Sequence, residues 1–152
     1  MIKLCNIEAL PEDHIDDDQK MCTLFLGDAA GSEKLYVNID KVQPGAKSTK
    51  YHSHSLQEEF FLILAGTGTL RMNDEYILVK KGDFIAKPAG RGIAHQFINT
   101  GEEVLEILDT GLKVKDDIAY YPDEDVLFAR GQKKMFKQTD SLQNWNSDPN
   151  GS

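Results

Sequence analysis

The chain has 152 residues, of which 40% are apolar, and a formal net charge of −8 at pH 7. This length suffices for one domain with a core of its own but not for two ordinary domains. The acidic balance argues against a nucleic acid partner and against an anionic membrane surface, because both require clustered basic side chains. The longest apolar run covers residues 60–65, far short of the roughly 20 residues that a membrane span needs.

The N-terminal region carries no sign of export or of metal binding. It lacks the apolar segment and small-residue cleavage site of a signal peptide, so we expect a cytoplasmic location. There, Cys5 and Cys22 stay reduced, and neither has the spacing of a metal ligand. Residues 12–18, EDHIDDD, lack the order of a calcium loop. We predict that they form a surface loop in which His14 is exposed.

Regularly spaced turn residues predict an all-β fold. Between Leu35 and Leu112, short apolar stretches are interrupted by Gly, Pro, Asn or Asp at intervals of roughly 8 to 12 residues, which is typical of a sandwich or barrel. The residue pair Asn73-Asp74 predicts a two-residue hairpin turn. The predicted strands, in chain order, are Thr23–Gly27, Leu35–Val42, Lys50–His54, Glu59–Leu64, Thr67–Met72, Glu75–Lys80, Asp83–Lys87, His95–Asn99, Val104–Gly111 and Ile118–Tyr121.

The chain is predicted to form a single domain with two flanking segments. Residues 1–34 are expected to pack on a barrel that comprises residues 35–121. Residues 122–152 are predicted to form a C-terminal extension that is partly disordered at its end. Within this extension, Asp123–Lys134 is predicted to be helical.

A pair of histidines near the middle of the chain indicates a metal site. His52 and His54 share one face of a strand, because residues i and i+2 point to the same side. Glu59 has the opposite parity, so it can reach that side only if the strand is broken at residues 55–57. Past this break, Phe61 points inward with Glu59. The alternate residues Phe60, Leu62 and Leu64 then need cover from a second layer or a partner subunit.

A third histidine lies on a distant strand. His95, Phe97 and Asn99 share one face of the segment that begins at His95. Three imidazoles and one carboxylate could hold one divalent ion and leave positions open for water or substrate. Mn, Fe, Co, Ni, Cu and Zn are all compatible with these donors.

The spacing of these residues resembles the two sequence motifs of the cupins. The spacers before His52 and before His95 are longer than is usual for these motifs. The resemblance covers residues 45–99. The first motif reads Gly45, six residues, His52-Ser53-His54, four residues, Glu59, six residues and Gly66; the second reads Gly82, five residues, Pro88-Ala89-Gly90, four residues, His95, three residues and Asn99.

This resemblance implies a double-stranded β-helix, also called a jelly-roll barrel. It implies that one divalent transition metal ion binds to His52, His54, Glu59 and His95. Small cupins of this kind commonly dimerise, so we predict a homodimer.

Two kinds of function follow from the resemblance. The first is a metalloenzyme of the dioxygenase, isomerase, decarboxylase or lyase type that acts on a small polar or acidic metabolite. The second is a non-catalytic module that binds or senses a sugar or an organic acid. The candidate pocket residues are Tyr51, Phe61, Arg71 and Phe97. Phe97 is included because it shares a strand face with His95, and Arg71 because it could neutralise a substrate carboxylate.

Overall fold

The computed structural model describes residues 2–151, so Met1 and Ser152, which end the two predicted flanking segments, lie outside it. No helix in this range has the length and apolarity that a membrane span requires. The strands are β1 (Ile15–Asp17), β2 (Met21–Phe25), β3 (Leu35–Val42), β4 (Ser53–His54), β5 (Glu59–Ala65), β6 (Thr67–Met72), β7 (Glu75–Lys80), β8 (Phe84–Lys87), β9 (His95–Ile98), β10 (Leu105–Leu112), β11 (Ile118–Tyr121), β12 (Val126–Ala129) and β13 (Lys134–Lys137). The α-helix α1 covers Leu26–Ala30, and short 3-10 helices lie at Ile7–Ala9, Glu12–His14, Arg130–Gln132 and Gln138–Asp140.

The strands form antiparallel sheets around one core. The largest sheet has the order β1-β2-β3-β10-β5-β8, a second has the order β13-β12-β11-β4, and a third has the order β7-β6-β9. The core lies between the first and third sheets and includes Val42, Phe61, Leu70, Phe97 and Leu105. The predicted all-β jelly-roll fold is confirmed.

Strand β5 has the predicted alternation. Glu59 and Phe61 are buried, because the strand breaks before them and turns their face inward. On the opposite face, Phe60 remains 38% exposed and stacks on Phe84 with the ring centroids 6.0 Å apart. This apolar outer face agrees with the reasoning behind the homodimer, which stays a prediction.

The prediction of a helix at Asp123–Lys134 is wrong. Residues 126–129 form β12 instead, which pairs with β11 on one side and with β13 on the other. Asp125 and Lys133 have positive φ angles of 55° and 53°, a conformation that ends a helix and permits a tight turn. Strand pairing therefore outweighs the local preference for a helix.

Two further predictions need correction. The acidic segment is not a continuous loop, since residues 15–17 form β1 and pair with β2. The turn between these strands is closed by Asp18, whose carboxylate accepts hydrogen bonds from the backbone N–H groups of Lys20 and Met21. His14 in this segment is half-buried rather than exposed.

The predicted strand Lys50–His54 is reduced to Ser53–His54, preceded by an isolated bridge between His52 and His95.

Gly66 occupies a position that no other residue fits. Its φ angle is +81°, and an added Cβ would press against the carbonyl oxygen of Val104. We expect Gly66→Ala to lower the free energy of unfolding by at least about 2 kcal/mol, because strain and a backbone clash add together. Gly82 has φ +94° but open space around it, so Gly82→Ala should cost less. Urea denaturation measures the free energy of unfolding of both variants. Equal losses for Gly66→Ala and Gly82→Ala would contradict the role of the clash.

Candidate metal centre

Two separated parts of the chain bring the predicted ligands together. His52 precedes β4, His54 lies within β4, and Glu59 begins β5. The break between them is held by Asp117, whose Oδ1 accepts hydrogen bonds from the backbone N–H groups of Leu56 at 2.8 Å and Gln57 at 3.0 Å. The predicted break in the strand therefore exists, and a carboxylate from a distant loop stabilises it.

Three ligand atoms converge inside the barrel. His52 Nε2 lies 3.0 Å from His54 Nε2, and His54 Nε2 lies 3.1 Å from Glu59 Oε1. These three residues, called the metal group below, are buried, and their ligand atoms all lie within 4.8 Å of one another. Two nitrogens bound at right angles to one ion, each at about 2.0–2.1 Å, are about 3 Å apart. The spacing suits adjacent positions on a single metal ion.

The outer hydrogen bonds of the two imidazoles orient their lone pairs toward this point. His52 Nδ1 lies 2.6 Å from the carbonyl oxygen of Lys50, and His54 Nδ1 lies 2.6 Å from Asp117 Oδ2. Both partners are acceptors, so each Nδ1 carries the hydrogen and each neutral ring has its lone pair on Nε2. The lone pairs of His52 Nε2 and His54 Nε2 and the carboxylate of Glu59 then face one another. They repel one another unless a cation lies between them. A proton on His54 or a divalent metal ion meets that need, so the donor set fits the metal.

His95 lies beside this group but has a different partner. Its Nδ1 is 2.7 Å from the ammonium nitrogen of Lys87, and its ring centroid is 5.1 Å from that of His52. Lys87 also forms an ion pair with Glu59, at 2.6 Å from Oε2. This oxygen has no hydrogen bond of acceptable angle, so Lys87 compensates its charge without donating a well-aligned hydrogen bond. The structure thus places His95 at the site, while its role as a fourth ligand stays a prediction.

Tyr36 connects the metal group to one further carboxylate, that of Asp109. Its hydroxyl lies 3.1 Å from Glu59 Oε1 and 2.9 Å from Asp109 Oδ1. Burial, followed by the charge of Asp40, raises the pKa of Asp109 well above its usual value. Burial raises the pKa of Tyr36 as well, so its hydroxyl keeps its proton. Tyr36 therefore has a single hydroxyl hydrogen that it can donate to Asp109 or to Glu59.

Burial controls the charge of the site. The pKa of His52 is lowered to about 4, chiefly by burial, with smaller contributions from Lys87 and His54 and against the opposing effect of the Lys50 carbonyl. Burial, together with Lys87, lowers the pKa of His95 well below its usual value. For Glu59, burial alone would raise the pKa, but the hydrogen bond with His54 and the charge of Lys87 outweigh it and lower the pKa. At neutral pH, His52 and His95 are thus neutral and Glu59 is ionised.

We expect the chelator-treated protein to lose stability as the pH falls from 6.5 toward 4. In this range the unfolded chain takes up a proton at His52 that the folded chain excludes, so the free energy of unfolding falls with pH. The shift from 6.5 to about 4 corresponds to about 3 kcal/mol. Denaturant titrations at several pH values measure this slope. His52→Gln should reduce this slope, and His14→Gln should leave it unchanged. An unchanged slope in His52→Gln would refute the assignment.

One cavity reaches the metal group from outside. It has a volume of about 550 Å³ and opens next to His52, whose ring stacks on Tyr121 with the centroids 5.3 Å apart. Arg130 and Lys50 supply positive charge to its wall, and Glu124 pairs with Lys50 at 3.6 Å. The lining residues are Thr49, Lys50, His52, Tyr121, Glu124, Val126, Phe128, Arg130 and Met135.

The four predicted pocket residues lie elsewhere. Tyr51, Phe61 and Phe97 are buried in the barrel, and the Phe61 ring contacts that of His95 at 4.6 Å. Arg71 lies over the Tyr51 ring at 3.8 Å and forms a two-pronged ion pair with Asp123. None of the four is among the residues that line the cavity beside His52, and their contact with substrate stays a prediction.

Sequence reasoning missed Lys87, Asp117 and Arg130. Lys87 had one weak signal, since it ends an otherwise apolar strand directly before Pro88. Its pairing with Glu59 is visible only in the structure. Asp117 had none, because it is the second residue of an aspartate pair in a polar segment, which is typical of solvent exposure. Arg130 lies in the segment that was predicted to be helical.

Comparison with known proteins agrees with this fold. The family model described as the cupin domain matches residues 38–111. An uncharacterized protein of Methanocaldococcus jannaschii is 35% identical over 85 residues, which cover 50% of this chain and 66% of that protein. This chain thus spans about two thirds of the length of that relative.

Two solved structures are similar over most of the chain. A putative sugar phosphate isomerase from Acidithiobacillus ferrooxidans is 30% identical, with a TM-score of 0.79 and coverage of 83% of this chain and 81% of that chain. A sugar phosphate isomerase of the cupin superfamily from Silicibacter pomeroyi is also 30% identical, with a TM-score of 0.75 and coverage of 82% and 81%. The antiparallel sheets and the buried group of His52, His54 and Glu59 form a β-barrel with a candidate metal site. The protein belongs to the cupin superfamily.

Proposed function

We propose that this protein is a divalent-metal-dependent isomerase that acts on a small phosphorylated sugar. The observation that carries the proposal is the cavity of about 550 Å³ that Arg130 and His52 both line. The names of the two similar solved structures, one of them given as putative, support the same reaction class. A metal group with the Arg130 side chain in the same cavity suits a substrate that has hydroxyl or carbonyl oxygens at one end and a phosphate at the other.

Arg130 is the side chain best placed to bind the phosphate. Its guanidinium lines the cavity, and Nη1 donates a hydrogen bond to Gln57 Oε1 at 2.6 Å. The planar group has five N–H donors, so donors remain for a second partner. Gln57 also lies next to Glu59, with Nε2 at 3.4 Å from Oε1. The phosphate contact would therefore be fixed at a set distance from the metal group.

The remaining residues of the site orient the substrate and limit side reactions. His52, His54 and Glu59 would hold the metal ion, which when bound acts as a Lewis acid on a carbonyl or hydroxyl oxygen. Tyr121 stacks on His52 and fixes the plane of its ring. Val126, Phe128 and Met135 cover part of the cavity wall with apolar surface, which reduces the access of water to the reacting carbons.

The proposal is tested by turnover. The protein is loaded separately with Mn, Fe, Co, Ni, Cu or Zn and incubated with a panel of aldose and ketose phosphates in deuterated water. NMR is expected to detect interconversion, or solvent deuterium at the carbon next to the carbonyl, for at least one substrate and one metal. His52→Gln should remove this activity. Binding without exchange by any metal form would overturn the proposal and favour the sensing module.

A substitution at Arg130 tests the phosphate contact. We expect Arg130→Met to raise KM for the phosphorylated substrate by about 10-fold to 100-fold, since a hydrogen bond to a charged group contributes about 1.5–3 kcal/mol. The unphosphorylated sugar should be unaffected. Arg91→Met, at an exposed position outside the cavity, is the matched control. Equal losses for both sugars would show that Arg130 does not recognise the phosphate.

A further inference from the structure

Lys87 is a buried cation that neither motif accounts for. It is 1% exposed and lies at the end of β8, opposite Glu59 in the antiparallel register. Its ammonium nitrogen lies 2.6 Å from Glu59 Oε2, 2.7 Å from His95 Nδ1 and 3.4 Å from the carbonyl oxygen of His52. All three partners belong to residues that the sequence predicts to be metal ligands. Lys87 therefore occupies the space between Glu59 and His95.

The contacts of His95 differ in kind from those of the other two histidines. His52 and His54 each direct Nδ1 at an acceptor, the Lys50 carbonyl and the Asp117 carboxylate. This arrangement is the one that metal-bound histidines have, because it leaves the lone pair on Nε2. His95 directs Nδ1 at the Lys87 ammonium instead. An ammonium has three donors and no acceptor, so the Nδ1 atom of His95 must accept.

The hydrogen of the neutral His95 ring then lies on Nε2. A ring nitrogen that carries a hydrogen has no lone pair with which to coordinate a metal ion. The geometry of the described residues agrees, since the compact group of ligand atoms comprises His52, His54 and Glu59 without His95. Lys87 also covers the second oxygen of Glu59.

We propose that Lys87 is a positioning residue that keeps His95 out of the metal's coordination shell, so that His52, His54 and Glu59 alone hold the ion. This inference rests on the metal site of the proposed function and departs from the four-ligand set that the sequence resemblance implies. Two imidazoles and one carboxylate leave more open positions on the ion than four protein ligands do. A substrate could then bind through two oxygen atoms, as neighbouring carbonyl and hydroxyl groups of a sugar would.

Titration with Co²⁺ alone tests the inference without any substrate. Calorimetry should give a dissociation constant for His95→Gln within about 3-fold of the wild-type value. His52→Gln should bind at least about 100-fold more weakly, because loss of a direct ligand exceeds the 10-fold to 100-fold cost of losing an outer partner. A loss for His95→Gln as large as that for His52→Gln would overturn the inference.

Substitution of Lys87 gives the complementary result. Lys87→Met should release His95, so X-ray absorption of the Co²⁺ form is expected to count two histidines in the wild type and three in the variant. The affinity for Co²⁺ should rise by about 10-fold or more, since a ligand is gained and a nearby positive charge is lost. Three histidines in the wild type would refute the role of Lys87. If Lys87→Met does not fold, the His95→Gln comparison decides alone.

The two proposals fail in different ways. If the wild type binds Co²⁺ and depends on His95, the inference fails while the proposed enzyme stands. If the ion binds through three residues but no sugar phosphate reacts, the proposed function fails while the inference stands. If the wild type binds no metal ion, both are wrong.

Discussion

Glu59→Gln is expected to lower the free energy of unfolding by about 3 to 5 kcal/mol in the chelator-treated protein, the usual cost of removing one partner from a buried ion pair. Lys87 is 1% exposed and lies 2.6 Å from the Glu59 carboxylate. Without that carboxylate, the ammonium stays buried with no opposite charge in contact. Denaturant titration at pH 7 measures the loss.

A double-mutant cycle separates the ion pair from other effects. Glu59→Gln combined with Lys87→Met should cost less than the sum of the single changes by more than about 1 kcal/mol, because the two residues interact directly. The pair Asp28–Lys113 has the same 2.6 Å separation but is exposed, so Asp28→Asn should cost about 1 kcal/mol or less. Additive losses at Glu59 and Lys87 would contradict the buried pair.

Asp117→Ala is the second change with a large expected effect. Asp117 is fully buried and accepts hydrogen bonds from His54, Leu56 and Gln57. Its removal leaves two backbone N–H groups and one imidazole without a partner, each worth about 1–3 kcal/mol. We expect a total loss of about 3 to 5 kcal/mol. A loss below about 1 kcal/mol would contradict the role of Asp117 in holding the bend before β5.

Two further variants separate folding from metal binding at this position. Asp117→Asn keeps an acceptor for the backbone N–H groups but loses the charge that faces His54. It should retain most of the stability and bind Co²⁺ about 10-fold to 100-fold more weakly. Asp116→Ala, at the exposed neighbouring position, is the control and should change stability by no more than about 0.5 kcal/mol.

Much of the barrel could be predicted because its signals are local. The alternation of Glu59, Phe61 and Ile63 gave the buried face of β5, and the pair Asn73-Asp74 gave a hairpin turn in which both residues have positive φ. The break before Glu59 followed from parity alone, because the carboxylate could not otherwise face the two histidines. These inferences needed only neighbouring residues and the period of a strand.

The unpredicted parts depend on contacts between distant segments. Asp117 reaches His54 across 63 residues, and nothing around it distinguishes it from the exposed Asp116. Residues 126–129 form a strand because β11 and β13 pair with them, which no local pattern reveals. Lys87 reads as a surface residue at the end of a strand, and only the register with Glu59 places it inside.

The metal content of the protein tests the central claim most directly. The protein is purified without a histidine tag, reconstituted with each candidate divalent ion and freed of excess ion, and its metal is counted by mass spectrometry. The arrangement of His52, His54 and Glu59 predicts one tightly bound ion per chain in the wild type and almost none in His54→Gln. Less than about 0.2 ions per wild-type chain with every metal, or equal binding by His54→Gln, would contradict it.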